Sequence, residues 1–182
     1  MAKTFNCTVL TVDYKLSPES KVPDTALDCY AATKYIMKEA ENLGLDTKRI
    51  AIGGEWSGAH LTACVCMELA KHDESKLIKF AWLDVPSVSS HWLERTPENS
   101  SYEETALVEV HKKWSSMAFN DWEENWKNKN STMFPCNMGD ELAAKCPPTV
   151  VTTREFDHFR RDAEEYASLM QKHGLLLGEC YI

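Results

Sequence analysis

Residues 49–71 read RIAIGGEWSGAHLTACVCMELAK, and this stretch decides the fold. It begins with a short apolar run at 49–52 and continues through a glycine-rich turn, GGEWSG. It ends in a segment, 59–71, that is apolar on nearly every side of a helix, and such helices lie in protein interiors. The stretch therefore predicts a buried strand, a tight turn and a central helix. That unit is typical of a parallel sheet covered by helices.

Short apolar runs and longer helical patterns also alternate along the rest of the chain. Helices are predicted at 24–43 and 162–173, where apolar residues recur at helical spacing and a glycine follows each end. Further strands are predicted at 8–13 (TVLTVD), 79–85 (KFAWLDV), 148–152 (PTVVT) and in the last residues, LLLGECYI. The pattern predicts an α/β fold: a mostly parallel sheet of about five strands flanked by helices.

Residues 87–147 interrupt this alternation with a polar insertion before the fourth predicted strand. It carries His91, Trp92, Trp114, Trp122 and Trp126. The last two tryptophans lie one helical turn apart, which predicts a helical insertion. We expect the tryptophans to pack the insertion onto the sheet rather than to form a ligand cage. Residues 1–182 are interpreted as a single, partial domain that contains this insertion.

Composition narrows the classes of partner. Acidic residues outnumber basic ones, 28 to 20, which gives a net charge of −8 and argues against nucleic acid or anionic membranes as partners. No apolar run approaches the roughly 18 residues that span a bilayer, and the first residues lack a secretory-signal layout, so a cytoplasmic protein is expected.

The seven cysteines include no CxxC pair and are interpreted as buried free thiols. Neither a cofactor nor a metal site is predicted.

The glycine-rich turn has the layout of a G-x-S-x-G motif, in which a strained strand-to-helix turn displays a serine nucleophile. Gly54 and Gly58 are in place, but the central residue is Trp56, whose indole cannot attack a carbonyl group. A bulky residue at such backbone angles costs about 1–3 kcal/mol. Ser57 is a weak alternative nucleophile, because a one-residue slip of the motif places Glu55 where a small residue is needed.

Four segments carry a resemblance to a known family. They are VDYKLSPE at 12–19, PDTALDCYAATKYI at 23–36, RIAIGGEWSGAHLTA at 49–63 and CPPTVVTTREFDHFRRDAEEYASLMQKHG at 146–174. Together, and in collinear order over most of the chain, they resemble the hormone-sensitive-lipase-like esterases, the α/β-hydrolase branch also called alpha/beta hydrolase fold-3. The stretch SGAHLTA is also similar to the corresponding helix of kynurenine formamidases.

The resemblance implies a carboxylic ester hydrolase that uses a serine, a histidine and an acid. Asp157, in EFDHF, matches the position of the acid. Trp56 stands at the position of the nucleophilic serine, and Ser57 at the residue whose backbone N–H serves the oxyanion hole. The family's HGGG-type loop and catalytic histidine have no counterpart in these 182 residues. The resemblance therefore implies a chain that is truncated at both ends and catalytically inactive.

Three functions stay open. The first is a fragment of an esterase or of a kynurenine-formamidase-like hydrolase, with a small acyl ester as substrate if activity is retained. The second is a pseudoenzyme that serves as a structural or interaction subunit. This second function is connected with the predicted sheet. In the family another strand lies between the strands predicted here at 8–13 and 49–52. Either these two strands pair directly in this chain, or a protein partner or a second copy completes the sheet. The third, ranked last because Trp56 would partly plug the acyl pocket, is a binding protein.

Overall fold

A computed structural model describes residues 2–89 and 102–181 of the chain. Its strands are β1 (Ile52–Glu55), β2 (Ala81–Asp84), β3 (Thr149–Thr153) and β4 (Leu176–Tyr181). Its helices are α1 (Ala2–Phe5), α2 (Asp24–Glu39), α3 (Ser57–Lys71), α4 (Tyr102–Ala118), α5 (Trp122–Lys127), α6 (Asp140–Ala143) and α7 (Arg160–Lys172). Within the described ranges, no helix combines the length and the apolar character needed to cross a membrane.

The four strands form one parallel sheet in the order β1-β2-β3-β4. Parallel neighbours need long crossover connections. Helix α3 connects β1 to β2, and α7 connects β3 to β4, while the predicted insertion occupies the connection between β2 and β3. The prediction of an α/β fold with a parallel sheet flanked by helices is confirmed.

The strand predicted at 8–13 is wrong, so the described part of the chain holds four strands rather than about five. Residues 7–16 are irregular, and Val9 and Val12 are 48% and 39% exposed. A groove of about 790 Å³ lies between this segment and β1, so the two do not pair directly. A β-branched run becomes a strand only when a neighbouring strand accepts and donates its hydrogen bonds, and none of the described residues does so here.

Helix α3 is buried on nearly all sides, as its sequence predicts, and packs against β1, β2 and α2. Its thiols Cys64 and Cys66 share the main core with Cys146, Tyr166 and other apolar side chains. Burial raises the pKa of both Cys64 and Cys146 to about 12, so these thiols are unreactive core groups at neutral pH. The prediction of buried thiols holds for them, whereas Cys7 and Cys180 are exposed.

The described part of the insertion contains α4, α5 and α6, joined by turns and irregular segments. Trp122 and Trp126 of α5 pack against a second core cluster, formed by Val85, Met133, Phe134 and Phe159. Val85 directly follows β2 and Phe159 directly precedes α7, whereas Met133 and Phe134 belong to the insertion itself. His91 and Trp92 lie outside the described residues.

Candidate functional site

The turn between β1 and α3 is strained at its central residue. Trp56 has φ 56° and ψ −111°, a positive φ that is uncommon for any residue but glycine. The Trp56 N–H donates to the Asp84 carbonyl at 2.9 Å, and the Trp56 carbonyl accepts from the His60 N–H at 3.0 Å. This is the strand-turn-helix geometry that displays its central side chain at the carboxyl end of a parallel sheet.

The turn is tight because two glycines touch. A Cβ atom added to Gly54 would lie 2.3 Å from the carbonyl carbon of Gly58, far inside the van der Waals contact distance. A Cβ atom added to Gly58 itself would meet nothing within 4 Å. The first glycine is therefore a steric requirement of the turn.

The Trp56 indole lies in an aromatic cluster of five rings: Trp56, His111, Trp114, His158 and Phe159. It meets Trp114, His158 and Phe159 edge to face, with ring centroids 5.7, 6.2 and 6.0 Å apart. Each such pair stabilises packing by about 0.5–1.5 kcal/mol. The side chain at the centre of the turn therefore has a packing role, although it remains 39% exposed.

Two histidines of the aromatic cluster contact each other. His111 of α4 and His158, which follows β3, stack with centroids 4.9 Å apart, and their Nε2 atoms lie 3.3 Å apart, within hydrogen-bond distance. Sequence reasoning did not select His111. The available signal was its position three residues before Trp114, which puts both rings on one face of a helix.

Asp157, the predicted acid, lies at the same edge of the sheet as Trp56. Its Oδ1 accepts a hydrogen bond from the Phe159 N–H at 2.7 Å, so the carboxylate closes the turn that leads into α7. The following residue, His158, reaches the Trp56 ring. The sequence and the structure thus place Asp157 and Trp56 in one region, with the carboxylate bound to backbone.

Ser57, the alternative nucleophile, is the first residue of α3 and is exposed. Among the described residues no histidine forms a hydrogen bond with its hydroxyl group. A serine hydroxyl needs such a base to become a nucleophile. Within the described residues the Ser57 hydroxyl therefore has no histidine partner.

A charge pair at the same edge was missed by sequence reasoning. The Asp84 carboxylate accepts hydrogen bonds from both terminal nitrogens of Arg154, at 2.6 and 3.1 Å, and from the Thr152 hydroxyl at 2.6 Å. Burial alone would raise the pKa of Asp84, but the bonds from Arg154 and Thr152 outweigh it and leave this pKa below its usual value. The available signal was that both charges lie at carboxyl ends of predicted parallel strands.

A second carboxylate fixes the loop that follows β2. Asp162 is buried, and its Oδ2 accepts from the Val88 and Ser89 N–H groups at 2.9 and 2.8 Å. Burial raises the pKa of Asp162 to about 7, against the lowering effect of the two backbone bonds. The loop that Asp162 fixes contributes Ser87 and Ser89 to the wall of a cavity beside Trp56.

A cavity of about 450 Å³ opens beside Trp56, between α2, α3 and α4. Apolar and aromatic side chains form most of its wall, and large exposed apolar side chains stand around it: Leu16, Trp56, Trp114 and Met117. Its volume is within the ordinary range for small-molecule sites. Among the described residues, no three His, Cys, Asp or Glu side chains are grouped so that they could hold a metal ion.

Comparison with known proteins agrees with this geometry. The alpha/beta hydrolase fold family matches residues 1–176. An arylesterase of Saccharolobus solfataricus is 26% identical over 96% of this chain and 55% of its own length. Esterase LipI of Mycobacterium tuberculosis is 27% identical over 92% of this chain and 51% of its own length. The chain therefore spans about half the length of the curated relatives it matches.

Solved structures give the same result. An esterase of Pyrobaculum calidifontis superposes with a TM-score of 0.81 at 25% identity, over 99% of this chain and 58% of the esterase. A structure of an arylesterase superposes with a TM-score of 0.76 at 25% identity, over 100% and 57%. A parallel α/β sheet with a strained strand-to-helix turn at its carboxyl edge defines a hydrolase-type fold. This chain belongs to the alpha/beta hydrolase fold family, in its hormone-sensitive-lipase-like esterase branch.

Proposed function

We propose that this chain is a catalytically silent member of the esterase branch, which keeps the fold and the strained turn without a nucleophile. The observation that carries the proposal is Trp56, which has the turn's positive φ and packs its indole against Trp114 and Phe159. Neither an indole ring nor the unactivated Ser57 hydroxyl supplies the attacking atom that acyl transfer needs. The proposal rests first on Trp56 and second on the absence of a histidine partner for Ser57 among the described residues.

The test measures hydrolysis of p-nitrophenyl acetate and butyrate together with labelling by a serine-reactive fluorophosphonate. We expect the wild-type chain to match the buffer rate and to remain unlabelled. The Ser57→Ala and Asp157→Asn variants should be indistinguishable from wild type. Hydrolysis by the wild-type chain that falls more than tenfold in Ser57→Ala, or a label mapped to Ser57, would overturn the proposal.

A second candidate function, that of an interaction subunit, is favoured by the edge of β1 opposite β2, which pairs with no other strand of residues 2–89 and 102–181. The backbone N–H and C=O groups of Ile52, Gly54 and Trp56 point toward β2. The hydrogen bonds that the Ile52 and Trp56 N–H groups donate across to that strand show this. The backbone groups of Ala51, Gly53 and Glu55 therefore point away from β2, because backbone groups alternate along a strand, and Ala51 and Gly53 line the groove. Unpaired edges are templates for added strands. The occupant we propose is the same edge of a second copy, since twofold pairing satisfies both edges at once.

Light scattering after size exclusion tests this candidate. We expect a dimer that dissociates in the Ala51→Pro variant, because proline removes an N–H group that faces the groove and leaves the bonds to β2 in place. A wild-type chain that is monomeric at all concentrations would contradict the candidate.

A further inference from the structure

The two histidines of the aromatic cluster bring two potential metal ligands together. His111 belongs to α4 and His158 to the turn after β3, 47 residues further along the chain, and their Nε2 atoms lie 3.3 Å apart. The Nε2 atom of a neutral imidazole ring is among the commonest metal ligands in proteins. The spacing of the two residues in the sequence predicts no metal site, because only the fold makes them neighbours.

The separation of the two nitrogens fits one coordination geometry in particular. An ion that lies about 2.05 Å from each nitrogen, the usual Zn–N distance, would see them at an angle of roughly 107°, close to the tetrahedral value of about 109°. Coordination at a right angle, as in square-planar or octahedral sites, would place two such nitrogens only about 2.9 Å apart. The observed 3.3 Å therefore favours a tetrahedral ion over the other two geometries.

The pair supplies two ligands and leaves the others open. Among residues 2–89 and 102–181, no third His, Cys, Asp or Glu joins a group that could hold a metal ion. His111 lines the cavity of about 450 Å³ beside Trp56, and His158 is half-buried. Water or a small ligand in the cavity would therefore fill the remaining positions of a bound ion. The net charge of the chain, −8, also favours a cation over an anion.

Binding of an ion requires a change of tautomer in one ring. A hydrogen bond between the two Nε2 atoms needs a proton on one of them, whereas a metal ion needs the lone pairs of both. The donor ring must therefore move its proton to Nδ1 when the ion binds. Both rings stay neutral, as metal-bound histidines are.

We propose that His111 and His158 form a two-histidine site for a divalent transition-metal ion with a preference for tetrahedral coordination, for which Zn²⁺ is the expected ion. The bound ion links α4, in the insertion, to the turn between β3 and α7. It therefore holds the insertion against the carboxyl edge of the sheet. The proposal goes beyond the proposed function, because it requires metal binding and no hydrolysis.

The test uses the chain without a histidine tag, after removal of metal by a chelator. The exposed thiols of Cys7 and Cys180 are first alkylated, so that they bind no metal. We expect calorimetry to show one Zn²⁺ per chain. Co²⁺ should give the intense visible absorption of a tetrahedral complex, and Zn²⁺ should displace it because Zn²⁺ binds such ligands more tightly.

Two indole rings next to the site report on Co²⁺ directly. The Trp114 ring lies 5.3 Å from His111, and the Trp56 ring lies 6.2 Å from His158, between ring centroids. Bound Co²⁺ should quench the fluorescence of both tryptophans. Zn²⁺ should also raise the unfolding temperature of the wild-type chain, since the ion binds the pair only when the chain is folded.

His111→Gln and His158→Gln should each weaken Zn²⁺ binding by at least about tenfold, because even the loss of a hydrogen-bond partner of a ligating histidine costs that much. His72→Gln is the matched control. His72 lies at the other end of α3 from Trp56, where its exposed ring stacks on Tyr30 with centroids 5.8 Å apart. This variant should bind Zn²⁺ as the wild type does.

Circular dichroism shows that each variant is folded before binding is measured. Because His158 is half-buried and follows a strand, its variant keeps the test decisive if His111→Gln does not fold. No saturable Zn²⁺ binding by the wild type, an octahedral Co²⁺ spectrum, or unchanged affinity in a folded variant of either histidine would each overturn the proposal. Ester hydrolysis by the metal-free chain would contradict only the proposed function.

Discussion

Two segments of this chain have equally distinctive sequences and reach different structural states. The turn GGEWSG at 53–58 is fully formed, with a strained central residue and two glycines in contact. The segment 8–16, which includes the first half of the family-like VDYKLSPE stretch at 12–19, is irregular and largely exposed. The turn finds its partners nearby, in α3 and in the adjacent strand β2. The N-terminal segment would need a neighbouring strand that the described residues do not provide.

Sequence similarity to a family therefore predicts the local structure only of a segment whose contact partners are also present. The turn itself contains both residues of its closest contact, Gly54 and Gly58. A strand does not, because its hydrogen-bond partner lies elsewhere in the chain or in another chain. Four sets of variants follow, from the largest expected effect to the smallest.

The largest effect is expected at the glycine contact. Gly54→Ala should lower the free energy of unfolding by about 5 kcal/mol or more, because the new methyl group would overlap the backbone of Gly58. Gly58→Ala is the control and should change it by less than about 1 kcal/mol, since that methyl group meets open space. Urea denaturation followed by circular dichroism measures both. Similar stabilities for the two variants would show that the glycine contact does not hold the turn.

The second effect concerns the buried carboxyl group of Asp162. Its pKa is about 7 in the folded chain and near its ordinary value of 3.8 when unfolded, so its protonated form favours folding. This contribution is complete below about pH 4 and is lost as the pH rises through 7. The loss amounts to about 4 kcal/mol at full ionisation.

The measurement for Asp162 is the free energy of unfolding of wild type and Asp162→Asn between pH 4 and pH 8. The amide keeps an oxygen that can accept from the Val88 and Ser89 N–H groups. We expect wild type to lose stability relative to the variant as the pH rises. A difference between the two proteins that does not vary with pH would contradict the expected titration.

The third effect separates backbone strain from packing at Trp56. Both Trp56→Gly and Trp56→Ala remove the contacts with Trp114, His158 and Phe159. Only glycine also relieves the positive φ. Trp56→Gly should therefore be about 1 kcal/mol more stable than Trp56→Ala in thermal or urea unfolding. Equal stability would mean that the turn relaxes once the indole ring is gone.

The smallest effect is expected in the N-terminal segment. Val9→Thr and Val12→Thr should each change the free energy of unfolding by less than about 0.5 kcal/mol, because both side chains are exposed. The same change at Val151, which is fully buried in β3, should cost about 2 kcal/mol because it buries a hydroxyl group. Losses above 1 kcal/mol at both N-terminal positions would show that this segment is packed in solution, against the structure.

Much of the fold could be predicted because its signals are local. The apolar run at 79–85 contains β2, the run at 148–152 covers all of β3 but its last residue, and a helical pattern that is apolar on nearly every side predicts α3. The observed ends of a strand differ from the predicted ones where a neighbouring turn takes over some of its residues. The strand predicted at 49–52 lies at Ile52–Glu55, because residues Thr47–Arg49 form a short 3-10 turn held by the Asp46 carboxylate, which accepts from the Lys48 N–H.

The candidate site could be predicted only in part. Asp157 and Trp56 were found from their motifs, since each lies where a parallel strand ends. His111, Asp84 and Arg154 were not, because their partners are 47 and 70 residues away in the chain. The spacing of residues along the chain does not indicate contacts between residues that are so far apart in sequence.

The sequence by itself determined the α/β class, the buried helix α3 and the substitution of a tryptophan at the strained turn, because composition, periodicity and motif spacing are properties of neighbouring residues. The tertiary structure alone decided that 8–13 is no strand and that Trp56 packs into an aromatic cluster beside an open cavity. Those outcomes depend on which distant segments meet. Strand pairing, burial and hydrogen-bond satisfaction are settled between segments and not within them.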